Sequence, residues 1–223
     1  MPIVELSHGE LNSQEIMRFS GGGDPVRNPE IRKALEWAVN SAETLIDGLG
    51  IYNLFPAINE DDHIAISYND GEIIRFPYPG TSQITGVEAA ALFVSTIGNR
   101  LENKVEQQFN QGNHLEGLFL DSVGSTAAEG VATHLALHVE KDAKENNWIA
   151  SYRFSPGYCT WDMEYQRDIF RLLPVGDIGV ELTESLLMLP RKSISGVMFL
   201  GSKLAPLNPC KTCTRADCND RRL

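Results

Sequence analysis

The spacing of apolar positions predicts three helices in the first two thirds of the chain. The first follows Asn28 and Pro29, a pair that suits a helix N-cap and first turn, and its apolar residues continue at helical spacing to Ile46. The same periodicity predicts a second helix over residues 86–112 and a third over residues 114–144.

Other segments show the residue types and turn signals that are typical of strands. These segments are residues 50–58, a hairpin over residues 63–78 that turns at Asn69–Gly71, and residues 148–154, 179–189 and 192–201, with a short helix predicted over residues 163–173. Helices in a run, with strands before and after them, favour a single α+β domain with a largely antiparallel sheet. We expect residues 1–205 to form this domain and residues 206–223 to form a cysteine-rich tail.

The third predicted helix carries three interior glycines, Gly117, Gly124 and Gly130. A glycine in an exposed helix interior costs about 1 kcal/mol relative to alanine. Their retention indicates that another backbone or a ligand approaches the helix closely at these positions.

Composition and charge narrow the classes of partner. The chain has 223 residues, of which 42% are hydrophobic, enough to bury a core. Its net charge of −11 argues against nucleic acid and against anionic membranes, because both attract clustered basic residues. The sequence has no apolar run long enough to span a membrane and does not begin like a signal peptide, so a cytoplasmic location is expected.

The candidate chemistry lies in the segment RFSPGY, residues 153–158. The guanidinium of Arg153 can bind a carboxylate with two parallel hydrogen bonds. The backbone of Ser155 and Gly157 can face a ligand, and the ring of Tyr158 can lie against a cation or a planar cofactor. The alternative is a surface salt bridge followed by an ordinary turn.

A longer pattern links this segment to a known family. Arg153 is followed by Gly157 and Tyr158, then by a helix and an ordered set of further matches, which are Leu182, Thr183, Glu184, Ser185, Met188, Pro190, Ser193, Ser195 and Gly196. This pattern resembles the reactivation domain of cobalamin-dependent methionine synthase. The helical segment that begins at Asp121 is also similar to that family.

The resemblance implies a curved antiparallel sheet and a function. In that family the domain binds S-adenosylmethionine and methylates the corrinoid after its cobalt has fallen to Co(II) and regained an electron. Arg153 would then hold the methionine carboxylate, the backbone of Ser155 and Gly157 would line the ligand, and Tyr158 would lie between the sulfonium and the corrin. Glu129 matches a family glutamate near the active site that would tune the surroundings of the cobalt; alternatively it is a solvated helix residue.

The resemblance also implies partners. We expect a separate reactivation subunit that meets a cobalamin-binding methionine synthase, or another corrinoid protein, in trans. A low-potential donor such as flavodoxin or ferredoxin would supply the electron. Asn147 stands where the family has a second glutamate, and the family's paired tyrosines after the last strand are missing. The rim of the adenosyl site is therefore expected to differ.

The tail contains Cys210, Cys213 and Cys218 in the spacing C-x-x-C-x-x-x-x-C. Three thiolates at this spacing can bind zinc or an iron–sulfur cluster, and the alternative is free thiols. Cys159 is either a fourth ligand or, more simply, a small packing residue. An iron–sulfur cluster would favour a reductive activator of a corrinoid protein. Zinc would instead favour a non-enzymatic module that the metal stabilises and that binds a corrinoid protein.

Overall fold

The structure is a computed structural model, and it describes residues 3–21, 28–78, 84–158 and 161–204. Five α-helices lie in these ranges: α1 (Ser13–Phe19), α2 (Pro29–Ala42), α3 (Arg100–Asn110), α4 (His114–Glu145) and α5 (Tyr165–Leu172). The strands of the same ranges are β1 (Ile3–Glu5), β2 (Leu49–Asn59), β3 (His63–Tyr68), β4 (Glu72–Pro77), β5 (Ala89–Thr96), β6 (Ile149–Ala150), β7 (Glu181–Leu182), β8 (Met188–Leu189) and β9 (Ser193–Gly201).

The fold contains one large antiparallel sheet with the strand order β4-β3-β2-β5-β9-β6. Strand β1 pairs with the first three residues of β2. The long strand β2 pairs with three strands, because its residues 49–51 pair with β1, its residues 49–56 pair with β5 on the other side, and its residues 57–59 pair with β3. The sheet curls into a half-barrel. This architecture confirms the predicted α+β fold with a curved antiparallel sheet.

Helices α2 and α4 cover one face of the sheet. Asn28 caps α2 as predicted, because its side-chain oxygen accepts hydrogen bonds from the backbone N–H groups of Glu30 and Ile31 at 3.0 and 3.3 Å. The buried residues that these two helices contribute include six alanines, whose small side chains let α2 lie close to α4 and α4 lie close to the strands: Ala34, Ala38, Ala42, Ala127, Ala128 and Ala143.

The opposite face of the sheet is covered by α5 and by loops that carry aromatic rings. The ring of Trp161 lies 5.1 Å from that of Phe76, 6.2 Å from that of Phe154 and 6.3 Å from that of Phe199. The indole N–H of Trp161 donates a hydrogen bond to the carbonyl oxygen of Pro77 at 2.8 Å. We call this set of four rings, Phe76, Phe154, Trp161 and Phe199, the aromatic cluster.

Of the three interior glycines of α4, Gly130 confirms the expected close approach of another backbone, whereas Gly117 and Gly124 face side chains. The backbone of His8 crosses α4 against Gly130, and a side chain at that position would collide with the His8 carbonyl group. Gly124 faces Leu101 and Lys192, and Gly117 faces the ring of Phe109. No helix in the described parts of the chain is both long and apolar enough to cross a lipid bilayer.

The prediction of a helix over residues 86–112 was wrong for its first half. Residues 89–96 form β5, which lies between β2 and β9 at the centre of the sheet, and a helix begins only at Arg100. Every residue of β5 is buried. A strand covered on both faces has no polar side, so its sequence loses the alternation that distinguishes a strand from a helix.

Two predicted strands are shorter than expected. Residues 179–189 form a small hairpin in which only Glu181–Leu182 and Met188–Leu189 pair, because the chain turns between them at Leu186, whose φ is 66°. Residues 148–154 contribute β6 and then a single bridge between Phe154 and Val197. Two leucines near the start of α4, Leu115 and Leu118, are exposed although they belong to its apolar pattern.

Candidate functional site

Arg153 lies at the edge of the sheet, on an extended segment that runs beside β9. The next residue, Phe154, exchanges backbone hydrogen bonds with Val197 at 2.8 and 2.9 Å and places its ring in the aromatic cluster. Because side chains alternate along an extended chain, Arg153 points the other way, towards α4. Its Nη2 donates to Glu129 Oε2 at 3.2 Å and to Thr133 Oγ1 at 3.4 Å.

Helix α4 presents Glu129 and Thr133 together because residues four apart lie on one side of a helix. The hydroxyl of Thr133 also donates to the backbone oxygen of Glu129 at 2.8 Å, which links the two residues. The Arg153 side chain is 18% exposed and that of Glu129 is 34% exposed. Within the described residues, Nε and Nη1 of Arg153 have no hydrogen-bond partner, so the guanidinium keeps donors for a second carboxylate.

The loop after Arg153 is fixed by backbone hydrogen bonds. The N–H of Tyr158 donates to the Ser155 oxygen at 3.2 Å, and the N–H of Gly157 donates to the Trp161 oxygen at 3.1 Å. Gly157 has φ of 85°, a conformation that favours glycine, and a side chain there would collide with the sulfur of Met163. Tyr158 is 56% exposed at the tip of this loop.

A groove runs along α4 beside Glu129. It has a volume of about 380 Å³ and is lined by residues of α4 and of the segment around α1, namely Glu10, Asn12, Glu15, Thr126, Glu129, Gly130 and Thr133. The N-terminal segment reaches this position because His134 Nδ1 hydrogen-bonds the Ser7 carbonyl oxygen at 2.5 Å. Carboxylates therefore line the groove, and two of them are paired with arginines: Glu129 with Arg153 and Glu15 with Arg18.

The structure brings together five of the predicted site residues. Arg153 and Glu129 form an ion pair, half-buried Ser155 follows within the loop, and Gly157 and Tyr158 complete it. These positions do not by themselves test the assigned roles.

Sequence analysis missed Thr133 and the two acidic residues of the groove, Glu10 and Glu15. The spacing of four residues from Glu129 could have indicated Thr133. The approach of the N-terminal segment to α4 is a tertiary contact between distant parts of the chain, so no local pattern indicated the other two.

The predicted metal ligands Cys210, Cys213 and Cys218 lie outside the described residues, as does Cys159. Among the residues that are described, no group of three or more His, Cys, Asp or Glu side chains is arranged to hold a metal ion. Zinc or an iron–sulfur cluster in the tail therefore stays a prediction.

Comparison with known proteins adds two findings. The sequence model of the family described as vitamin B12 dependent methionine synthase, activation domain, matches residues 80–205, more than half of the chain. Among solved structures, a crystal structure of the MetH reactivation domain bound to AdoHcy matches with a TM-score of 0.67 and 20% sequence identity, covering 93% of this chain and 80% of the other. No protein among the curated sequences matches.

Proposed function

The chain belongs to the activation-domain family of vitamin B12-dependent methionine synthases, and from this premise we propose that it binds S-adenosylmethionine and donates the methyl group to a corrinoid. The observation that carries the proposal is the position of Arg153. Its guanidinium is held against α4 by Glu129 and has donors that no described residue uses, and Arg153 lies five residues before the exposed ring of Tyr158.

Each residue of the loop has a role in this proposal. Arg153 binds the methionine carboxylate, because a guanidinium matches a carboxylate with paired hydrogen bonds. Backbone groups of Ser155 and Gly157 line the ligand, and Gly157 allows the loop its shape because a φ of 85° favours glycine. Tyr158 lies between the sulfonium and the corrin, and its exposure leaves the ring accessible to a docking protein. Glu129 lies next to the reacting groups and influences their electrostatic surroundings.

The reaction is a reductive methylation. One electron converts the Co(II) corrinoid to Co(I), whose electron pair then forms the bond to the methyl carbon while the carbon–sulfur bond breaks and its electrons stay on sulfur. The products are a methylated Co(III) corrinoid and S-adenosylhomocysteine. The protein contributes by holding the methyl group in line with the cobalt, which is catalysis by positioning.

The proposal includes partners. The methyl acceptor is the cobalamin of a methionine synthase or a related corrinoid protein, and a flavodoxin or ferredoxin supplies the electron. We place this reaction in the cytoplasm and propose that the chain can act on a corrinoid held by a separate protein.

A methyl-transfer assay tests the proposal. The mixture contains this chain, a Co(II) methionine synthase that lacks its own reactivation domain, a low-potential electron donor and S-adenosylmethionine labelled in its methyl group. We expect label on cobalt with the wild-type chain and none with Arg153→Ala. Arg100→Ala is the control, because Arg100 is exposed and, within the described residues, makes only a long ion pair with Asp47 at 3.7 Å. Absence of label with the wild-type chain, when the donor is shown to generate Co(I), contradicts the proposal.

The tail supports a second proposal, that Cys210, Cys213 and Cys218 bind a metal. Visible absorbance after purification without oxygen would identify an iron–sulfur cluster and favour a reductive role. Colourless protein with stoichiometric zinc would instead favour a structural role for the tail. Metal analysis of a triple Cys→Ser variant is the control, and metal content equal to wild type would contradict binding by these cysteines.

A further inference from the structure

A second groove lies between α3 and the first half of α4. The two helices pack against each other and are joined by residues 111–113. The groove has a volume of about 580 Å³. Four of its residues lie on α3 at the spacing i, i+3, i+4 and i+7, which places them on one side of that helix: Glu102, Val105, Glu106 and Phe109. We call it the α3–α4 groove.

One end of the α3–α4 groove is apolar and open to solvent. Phe109 is 41% exposed, and Leu118, which lines the same groove from α4, is 40% exposed. Leu115, one turn earlier on α4, is 39% exposed. The Phe109 ring lies against α4 at Gly117, where a side chain would meet it at 3.1 Å. Large apolar side chains exposed together in one groove are typical of a protein-binding surface.

The other end of the groove is charged. Asp121 pairs with Lys192 at 2.9 Å. Glu102 accepts the backbone N–H of Lys192 at 2.8 Å and makes a long ion pair with Arg191 at 3.9 Å. Glu106 lies one turn from Glu102, towards the apolar end, and within the described residues it has neither an ion pair nor a hydrogen bond. A cationic side chain would complement this unmatched carboxylate.

These features specify the chemistry of an occupant. An amphipathic helix binds in a groove through apolar side chains at helical spacing. Two such side chains would cover Phe109 and Leu118, and a Lys or Arg one turn away would reach Glu106. A basic helix also suits the whole chain, because its net charge of −11 attracts a cationic segment and repels an acidic one.

The position of the groove on α4 indicates which protein carries this helix. Leu118 and Glu129 are eleven residues apart on α4, which is about three turns, so they lie on the same side of the helix. Between them, Lys192 Nζ donates to Ser125 Oγ at 2.8 Å. The groove therefore opens on the side of α4 that contacts Arg153. A protein docked there lies beside the proposed ligand site, where the methyl acceptor has to arrive.

We propose that the α3–α4 groove docks a basic amphipathic helix of the corrinoid protein that accepts the methyl group. The identity of the partner rests on the proposed function, whereas the chemistry of its helix follows from the groove. The groove lies about 16 Å along α4 from the ion pair of the ligand site, so it sets the affinity for the partner and takes no part in the methyl transfer.

The first test measures binding of the full chain, by calorimetry, to the Co(II) methionine synthase that lacks its own reactivation domain. For Phe109→Gln and Leu118→Gln we expect the affinity to fall about tenfold, because each loses an apolar contact in the interface. Both side chains are partly exposed and glutamine favours a helix, so the variants keep the fold, which circular dichroism checks. Leu137→Gln is the control on the same helix, since Leu137 is 52% exposed and does not line the groove.

Glu106→Lys tests the charge of the partner helix. The affinity should fall about tenfold in low salt and only about twofold in high salt, because salt screens exposed charges. Glu36→Lys is the control, since it changes the net charge equally at an exposed position of α2. Wild-type affinity of Glu106→Lys in low salt, or an equal loss in Glu36→Lys, would contradict a basic helix in the groove.

The methyl-transfer assay separates docking from chemistry. Phe109→Gln and Leu118→Gln should raise the KM for the corrinoid protein about tenfold and leave kcat and the KM for S-adenosylmethionine unchanged. A lower kcat with an unchanged KM for the corrinoid protein would overturn the inference.

The remaining outcomes are also decisive. The inference is overturned if the wild-type chain does not bind the corrinoid protein, or if Phe109→Gln and Leu118→Gln bind it like the wild type or no more weakly than Leu137→Gln. A dimer of the wild-type chain in sedimentation that Phe109→Gln abolishes would assign the groove to a second copy and would overturn it too. A wild-type chain that binds the corrinoid protein but transfers no label would instead overturn the proposed function.

Discussion

The two faces of the sheet are packed with different kinds of side chain. The face under α2 and α4 is rich in buried alanines, whereas the opposite face contains the aromatic cluster. A long helix brings its own hydrogen bonds and needs only a close fit, which small side chains provide. Loops lack that regular support, so large rings that bury much area hold them in place.

The candidate site lies at the edge of the sheet, where two successive residues point to opposite faces. Arg153 points to the helix-covered face and contacts Glu129, while Phe154 points to the aromatic cluster. The site therefore depends on both packings in different ways. The helix supplies the partner of Arg153, and the rings determine where the loop that ends in Tyr158 is held.

The largest effect is expected from Trp161→Ala. Trp161 is 4% exposed, contacts three other rings of the aromatic cluster and donates to Pro77. Its loss should reduce the free energy of unfolding by about 3–5 kcal/mol, measured by urea denaturation. It should also weaken binding of S-adenosylmethionine at least tenfold under conditions where the variant is folded, because the loop loses its anchor.

Leu120→Ala is the matched change on the helix-covered face. Leu120 is fully buried on α4 and lies more than two turns from Glu129. We expect a loss of about 2–5 kcal/mol in the free energy of unfolding, with ligand affinity within twofold of wild type. Equal losses of affinity in the two variants would show that the two faces do not differ in their support of the site.

A smaller effect is expected from Gly157→Ala. The φ of 85° at this position is unfavourable for alanine, and the new methyl group would collide with Met163. The free energy of unfolding should fall by about 1–3 kcal/mol, and ligand affinity should fall with it because the loop must change shape. Gly176→Ala is the control, since nothing lies within 4 Å of a side chain there. A Gly157→Ala variant with wild-type stability and affinity would contradict the described loop.

The smallest effect is expected from Tyr52→Phe on the helix-covered face. The Tyr52 hydroxyl donates to Asp142 at 2.6 Å, and burial, followed by this hydrogen bond, holds the pKa of Tyr52 well above its ordinary value. We expect a loss of about 1 kcal/mol in the free energy of unfolding at pH 7.

The pH dependence of this effect has a definite sign. Above pH 10, the ordinary pKa, the unfolded tyrosine ionises while the folded one stays protonated, so wild-type stability falls with rising pH. The gap between wild type and Tyr52→Phe should therefore shrink in denaturation series carried above pH 10. Tyr152→Phe is the control, because the Tyr152 side chain is 54% exposed. A gap that widens above pH 10 would show the opposite sign of the pKa shift.

The parts of the fold that could be predicted from the sequence are those that local signals determine. Helix α2 has a local cap at Asn28, and the hairpin of β3 and β4 has a local turn, so short-range signals were sufficient. Strand β5 has buried residues on both sides, and its eight positions contain no polar alternation. Its identity depends on its neighbours β2 and β9, which are distant in sequence.

The candidate site divides in the same way. The segment from Arg153 to Tyr158 could be singled out because its unusual residue types are adjacent in sequence. Glu129 was identified only through the family resemblance, since an acidic residue on a helix has no distinctive local pattern. Its ion pair with Arg153 joins positions 24 residues apart, so only the packing of α4 against the sheet reveals it.

The buried position of Trp161 also makes the protein suited to optical measurement. The chain has three tryptophans, and the other two, Trp37 and Trp148, are only partly buried. Replacing those two with phenylalanine would leave Trp161 as the single tryptophan. Its backbone is hydrogen-bonded to the backbone of Gly157 and Tyr158. The emission wavelength of that indole would report loop movement directly, so fluorescence titration could follow ligand uptake without any attached dye.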